Sequence, residues 1–174
     1  MNIEQFWVII ELSRKTLDSK KVDGNAQRQS EELRRLLLNL SAGEVVDFRV
    51  QFEKRMDEAF QWDLWGAAYI VAGGCSDDGF SDFRSWLISM GRRVFEDAVS
   101  NPESLIHAVN APGVEDIFFE DFRYVAANVH ESLTGRALLV RTENRPMAPT
   151  GEEWREEELA HRFPALWAWC QRKR

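Results

Sequence analysis

Apolar residues recur every three or four positions along most of this chain, the spacing that places them on one face of an α-helix. The clearest stripe is formed by Val45, Phe48, Phe52, Met56 and Phe60. The alternation typical of a strand is plausible only in RALLVR, residues 136–141. The sequence therefore predicts an all-α fold with about seven or eight helices. Residues 1–135 are expected to form the helical domain, and residues 136–174 an irregular arm and short helix that pack back on it.

Capping residues and turn residues set the predicted ends of the first helices. The apolar spacing predicts helices at about 3–18 and 25–39, separated by the turn residues Gly24 and Asn25. Ser41–Glu44 has the form of a capping box, in which the serine hydroxyl accepts an early helix N–H and the glutamate reaches back to the cap. The helix that follows is expected to run to about residue 61.

A corner between two helices is predicted in WDLWGAAYIVAGGCSDDGF, residues 62–80. Asp63 is expected to cap a short helix whose small residues permit the close approach of another helix. The double glycine at 73–74 is expected to end that helix, because glycine tolerates the left-handed conformation common at helix C-termini. Asp77 or Asp78 is then expected to cap a helix that runs to about residue 100.

Beyond this corner the same signals predict a short helix that Asn101 and Pro102 begin and that Ala111, Pro112 and Gly113 end. A further helix has apolar positions from Phe118 to Leu133 and is closed by Thr134 and Gly135. A loop or arm in TENRPMAPTG, an acidic helix that breaks before Pro164 and an aromatic turn follow it. No internal repeat interrupts this order. The sequence therefore predicts one domain with a C-terminal arm.

Charge and hydropathy exclude several functional classes. The 174 residues carry a formal net charge of −7, which argues against nucleic-acid binding because phosphate contacts need clustered Lys and Arg. No apolar run approaches the roughly 18–20 residues that cross a bilayer. The acidic residue before the first apolar stretch is not typical of a secretory signal. The sequence therefore predicts no membrane partner.

The chain lacks the spacing of a metal or cofactor site. Cys75 and Cys170 are far apart and indicate reduced thiols in a cytoplasmic protein. His107, His130 and His161 stand alone, without CxxC, HxxH or HExxH around them. Phosphate-loop, dinucleotide and nucleophile-elbow motifs are missing from the sequence. The sequence therefore predicts no metal and no cofactor.

The central corner carries the candidate ligand-binding residues: Trp62, Trp65, Cys75, Asp77, Asp78, Asp82 and Arg84. Carboxylates at a helix N-terminus bind cations or act in acid–base chemistry, and tryptophans stack on planar ligands. The structural alternative is that the glycines end one helix, the aspartates cap the next and the tryptophans fill the core. Cys75 precedes a helix start, where a nucleophile would have a lowered pKa. The lack of a histidine nearby in sequence favours a small buried cysteine.

An aromatic cluster near the C-terminus is the candidate docking region, with Phe163, Trp167 and Trp169 as its anchors. Tryptophans that are incompletely buried often mark interfaces. The cluster docks either on its own domain or on a partner protein, and the first of these is favoured.

Three arginines form a candidate anion site. Arg84 and Arg92 are two helical turns apart, which would place them on one face of a continuous helix with Arg93 beside them. Surface ion pairs with neighbouring Asp and Glu residues are the alternative interpretation, and the sequence favours it.

Four stretches of the chain are similar to one bacterial family. They are FWVIIE, WDLWGAAYIVAGGCSDDGFSDFRSWLISMGRRVFEDA, EDFRYVAANVHESLTG and FPALWAW. On these stretches the chain resembles the uncharacterised family known as domain of unknown function 4240, mainly over residues 3–133. The resemblance implies a bacterial, cytoplasmic, helical protein and carries over no catalytic residue.

The leading functional hypothesis is a non-enzymatic protein that binds another protein. It rests on a small acidic helical domain with seven tryptophans and no recognisable catalytic set. One version is an accessory or immunity-like protein whose acidic surface masks a basic partner. The alternative is a small-molecule-binding protein or an enzyme with its site at the Trp62–Arg84 corner. A nucleic-acid-associated regulator is a third hypothesis, which the negative charge disfavours.

Overall fold

The fold of the chain is known from a computed structural model that describes residues 1–18, 20–21, 23–108, 113, 116–140 and 146–172. These ranges contain ten α-helices and no strand: α1 (Ile3–Ser13), α2 (Asn25–Leu37), α3 (Ala42–Glu58), α4 (Trp62–Ala72), α5 (Asp77–Ser89), α6 (Arg92–Ser100), α7 (Leu105–Ala108), α8 (Glu120–Thr134), α9 (Leu159–Arg162) and α10 (Pro164–Gln171). Short 3-10 helices span Arg14–Thr16, Pro102–Ser104 and Glu156–Glu158. The prediction of an all-α fold is confirmed, with more helices than expected.

Local capping signals explain several helix starts. The capping box at Ser41 is present, because the Ser41 side chain accepts from the N–H of Glu44 while Glu44 accepts from the N–H of Ser41. Asn101 caps the turn that Pro102 opens, as predicted. Asn2 and Gln5 form a further capping box at α1. The first two predicted helices were too long, since α1 gives way to a 3-10 turn after Ser13 and α2 ends at Leu37.

The prediction of one helix from residue 77 to residue 100 is wrong, because the helix is interrupted between α5 and α6. Gly91 has a positive φ of 90° and separates the two helices. The apolar spacing continues through the break, so periodicity alone did not reveal it. Arg84 therefore lies on α5 and Arg92 on α6, and the expected shared face does not exist.

The core forms where α8 packs against α2, α3 and α5. Its fully buried aromatic side chains include Phe48 and Phe52 on α3, Phe83 and Trp86 on α5, and Phe122 on α8. Helix α5 is packed between α3 and α8 in this core, and it forms one side of the predicted corner.

The C-terminal part differs from the prediction in two ways. Residues 136–140 form no strand and are mostly exposed, since no neighbouring strand in the described ranges is available for pairing. The acidic stretch starts as the 3-10 turn Glu156–Glu158, and the expected aromatic turn is instead helix α10. Pro164 begins α10 because proline suits the first helical position. Thr150 makes an isolated parallel bridge with Gln61.

The predicted end of α8 is confirmed, and parts of two other predicted elements lie outside the described residues. Gly135 closes α8 in the left-handed conformation, as expected. The residues 111–112 of the predicted helix end and residues 141–145 of the predicted strand and loop lie outside the described residues. The acidic residues 156–158 are exposed.

Candidate functional site

The corner between α4 and α5 begins with a helix end built from glycine. Gly73 adopts the left-handed conformation (φ 74°), and the N–H groups of Gly73 and Gly74 both donate to the carbonyl of Tyr69. The prediction that glycine ends α4 is therefore confirmed.

The capping residues of the corner were predicted incorrectly. Ser76 is the N-cap of α5, and its hydroxyl accepts from the N–H of Gly79 at 3.1 Å. Asp77 and Asp78 lie exposed in the first turn, where their charges still face the positive end of the helix dipole. Asp63 is likewise inside the first turn of α4, whose N-cap is Gln61. Serine and aspartate are both good N-cap residues, so residue type alone did not identify the cap.

Trp62 and Trp65 belong to an aromatic stack. Their rings are parallel with centroids 5.2 Å apart, and Trp65 stacks in turn on Phe80 at 5.1 Å. The Trp65 indole donates to the carbonyl of Cys75 at 2.9 Å, which ties α4 to the corner. Trp154 stands edge-on against both tryptophans. The stack is therefore engaged with protein groups on several sides.

Cys75 does not have the environment of a nucleophile. Burial raises the pKa of the Cys75 thiol to about 11, and the charge of Asp82 adds to the increase. Burial also raises the pKa of the Asp82 carboxyl, with a further contribution from Glu120. A thiol with a high pKa is almost entirely protonated at neutral pH, so the geometry favours the structural interpretation of Cys75.

Arg84 is a buried component of the core rather than a surface ligand. Its guanidinium lies 4.6 Å from the ring centroid of Phe60 and 5.0 Å from that of Phe80. It donates to the carbonyl of Met56 at 2.8 Å and to the Ser81 hydroxyl at 3.0 Å. These bonds link α5 to the end of α3, which is a structural role.

Two of the three C-terminal docking residues, Phe163 and Trp167, lie against the chain's own helix α4. Phe163 is buried against Gly66, while Trp167 and Trp169 are half-buried. Trp167 lines a small cavity of about 80 Å³ together with Tyr69. The structure therefore places this aromatic cluster on the same chain.

Two larger grooves flank α1, and sequence reasoning missed both. The N-terminal groove, of about 560 Å³, is lined by Met1, Asn2, Glu4, Gln5, Val8, Ile9, Leu40 and Glu44. The Arg92 groove, of about 550 Å³, is lined by Glu4, Trp7, Val8, Glu11, Leu12, Lys15, Arg92, Arg93, Glu96 and Asp97. Val8 and Glu4 line both. A signal was present in the sequence, because five consecutive apolar residues at 6–10 exceed what one buried helix face accommodates.

Arg92, one of the predicted anion ligands, is held by carboxylates in its groove. It contacts Glu4 at 2.7 Å and Glu96 at 2.7 Å, which confirms the ion-pair interpretation for this residue. Arg93 is exposed on the wall of the same groove. Arg84 therefore lies in the core while Arg92 and Arg93 line the Arg92 groove, so the three arginines do not form one anion site.

Sequence comparison places this architecture in a family. A family model described as "Protein of unknown function (DUF4240)" matches residues 1–132. The chain belongs to the DUF4240 family. No curated protein and no solved structure matches it.

The DUF4240 match includes both grooves and the α4–α5 corner. Residues 146–172, which carry Trp154 and Phe163, lie beyond the matched region. Within the described ranges, no helix of this DUF4240 protein has the length and apolarity to span a membrane. The same ranges contain no cluster of three or more His, Cys, Asp or Glu residues suited to holding a metal ion.

Proposed function

We propose that this DUF4240 protein works by binding another protein, and that its N-terminal groove receives a basic, amphipathic helix of that partner. The observation that carries the proposal is the exposure of Val8. Val8 is 56% exposed in the middle of an apolar run, directly beside the groove. Met1, Ile9 and Leu40 line the same groove, and a contiguous exposed apolar patch within a polar rim is typical of interaction sites.

The groove offers an apolar floor for the partner. Met1, Val8, Ile9 and Leu40 line it from α1 and from the turn before α3. The side chains beneath, Phe6 and Ile10, are fully buried, so the floor is anchored in the core. A helix that lays its apolar face into such a groove uses anchors at three- and four-residue spacing.

The charges around the N-terminal groove favour a basic partner. Its charged side chains are Glu44 and Glu4, of which Glu4 is paired with Arg92. Hydrogen bonds from the hydroxyl and the N–H of Ser41 lower the pKa of Glu44, which keeps that carboxylate ionised. The N-terminal ammonium group beside the groove is paired with Asp47. Lysine and arginine on a partner would therefore meet negative charge, in line with the net charge of −7.

The contacts at the Trp62–Arg84 corner support the alternative function less well. Trp62 and Trp65 are stacked and covered by Trp154, and Arg84 is 5% exposed and bonded to the core. The faces and edges of these rings, and the Arg84 guanidinium, are thus already engaged by groups of the protein itself. The setting we propose is a bacterial cytoplasm, in keeping with the two free cysteines.

A binding measurement with a model peptide tests the proposal. The probe is a fluorescein-labelled helical peptide of about five turns, with leucines on one face and lysines on the other. Its counterpart carries glutamate in place of every lysine. Fluorescence anisotropy should show that the lysine peptide binds roughly tenfold or more tighter than the glutamate peptide. Salt should weaken the binding, because screening acts on exposed charges.

Two variants locate the binding site. Val8→Lys should abolish binding of the lysine peptide, while Leu133→Lys, at an exposed apolar position on α8 outside the groove, should leave it unchanged. Glu44→Gln removes one charge and preserves the capping box, since glutamine serves in that motif too, and it should weaken binding. Equal affinity for the two peptides, or full binding by Val8→Lys, would overturn the proposal.

A further inference from the structure

Residues 146–172, called here the C-terminal segment, cover one face of α4. Leu159, Phe163 and Leu166 are buried and belong to the same hydrophobic core as α4. Both α9 and α10 pack against α4. The segment lies beyond residues 1–132, the region matched by the family model.

Gly66 forms a notch in α4 that receives the segment. A methyl group at Gly66 would lie 2.9 Å from Leu159 Cδ2, 3.0 Å from Phe163 Cε2 and 3.1 Å from Trp154 Nε1. Three side chains of the segment thus meet at the one position of α4 that has no side chain. Such close approach is what a shaped docking site provides.

Polar contacts fix the register of the segment on the helical domain. The Trp154 indole donates to the carbonyl of Trp62 at 2.8 Å. Arg162 and Asp63 form an ion pair at 2.5 Å. The Glu103 carboxylate accepts from the N–H groups of Ala165 and Leu166 at 2.7 and 3.1 Å, at the positive end of α10. The segment is therefore recognised through specific hydrogen bonds as well as apolar burial.

The described residues on either side of positions 141–145 include highly exposed apolar side chains. Leu139 is 88% exposed, and Met147 is fully exposed. The connection from Gly135 to Thr150 has 15 residue steps, so it spans up to about 50 Å when extended. A tether of this length permits the segment to leave its own α4.

We propose that the α4 face is a docking groove for the C-terminal segment as a separable ligand, and that the segment of a second copy docks there in exchange. Exchange re-forms the same contacts around Gly66, so it requires no new complementarity. The tether gives the chain's own segment a high effective concentration, which favours the closed monomer in dilute solution. High protein concentration then favours exchange between copies, whereas a weakened resident segment leaves the groove open to an added wild-type segment.

A peptide competition experiment on the full-length protein tests this inference. The probe is a fluorescently labelled peptide of residues 146–172, kept in reducing buffer. Phe163→Ala weakens the resident segment and leaves the α4 groove unaltered, so this variant should bind the peptide at least tenfold tighter than the wild type does. Adding Gly66→Leu to Phe163→Ala fills the notch and should abolish binding. Arg162→Ala, which removes a partly exposed ion pair, provides a milder variant if Phe163→Ala does not fold.

A second measurement addresses exchange between copies directly. Two full-length preparations with different affinity tags are unfolded together in urea and refolded at high concentration. The tagged copies should co-purify, whereas copies that both carry Phe163→Ala, or Arg162→Ala in its place, should co-purify to a smaller extent. The inference is overturned if the folded segment variant binds no peptide, if the Gly66→Leu double variant binds it equally well, or if the refolded wild-type copies never co-purify. Because neither measurement uses the N-terminal groove, failure here leaves the proposed function standing.

Discussion

The carboxylate of Glu11 occupies the space that a side chain at Gly91 would need. A methyl group on Gly91 would lie 2.9 Å from the carboxylate carbon of Glu11 and closer still to one oxygen. The same carboxylate accepts from the N–H of Arg92 at 3.1 Å, where α6 begins. Glu11 thus caps, from α1, the helix break that Gly91 makes possible.

This relationship predicts a large difference between two glycine-to-alanine variants. Gly91→Ala should lower the free energy of unfolding by about 1–3 kcal/mol, because φ is 90° and the Glu11 carboxylate must move off the N–H of Arg92. Gly43→Ala is the control, since nothing lies within 4 Å of its added methyl group. It should be neutral or up to about 1 kcal/mol more stable, through helix propensity. Urea unfolding of the two variants measures both, and equal values would contradict the assignment.

Gly66→Ala tests the notch in α4. The added methyl group overlaps Leu159, Phe163 and Trp154, so the variant should lose about 1–3 kcal/mol of unfolding free energy despite the better helix propensity of alanine. In a Leu159→Ala background the tightest overlap is gone, and the same substitution should cost less. A double-mutant cycle by urea unfolding gives the coupling. Additive effects would show that Gly66 and Leu159 do not meet.

Ser76→Ala distinguishes the observed cap of α5 from the predicted ones. Loss of the hydroxyl that accepts from Gly79 should cost about 1 kcal/mol of stability. Asp77→Ala and Asp78→Ala should each cost less, because those exposed carboxylates act only through the helix dipole. Ser76→Asp should retain most of the stability, since aspartate is also a good cap. Thermal unfolding of the four variants decides the order, and a larger loss in Asp78→Ala would restore the sequence-based assignment.

Helix ends that depend on neighbouring residues were predictable from the sequence. Helix ends that depend on contacts between distant residues were not. The capping box at Ser41 and the terminating glycine at residue 73 were identified because cap and helix are adjacent in sequence. At Ser76 three capping residues follow one another, so the sequence offers no means of choosing among them. The break at Gly91 depends on Glu11, which is 80 positions away, and the apolar period continues across it.

In the candidate site, too, features set by neighbouring residues were predictable and contacts between distant residues were not. The sequence suggested that small residues of α4 allow close approach, yet the partners of Gly66 lie about 90 positions later and carry no local mark. The tryptophans were identified as candidates, but only the fold shows that Trp154 covers them. The groove at Val8 was within reach, because an apolar run of five residues cannot all point inward on one helix.

Cys75 should react slowly with alkylating reagents in the folded protein. Its pKa of about 11, against an ordinary value of about 9, lowers the thiolate fraction at pH 7.5 by about 100-fold. In a Cys170→Ser background, iodoacetamide should modify native protein at least about 100-fold more slowly than protein unfolded in urea. Comparable rates would show that the thiol is neither buried nor shifted.

The same pKa shift predicts how stability depends on pH. The unfolded chain ionises Cys75 near its ordinary pKa of about 9, whereas the folded chain does so near 11. The stabilising contribution of the protonated thiol is therefore fully present below pH 9 and is lost as the pH rises towards 11. Cys75→Ser removes this titration, so urea unfolding between pH 8 and 11 should show a smaller decline for the variant than for the wild type. Parallel curves would mean that folding does not change the pKa of Cys75.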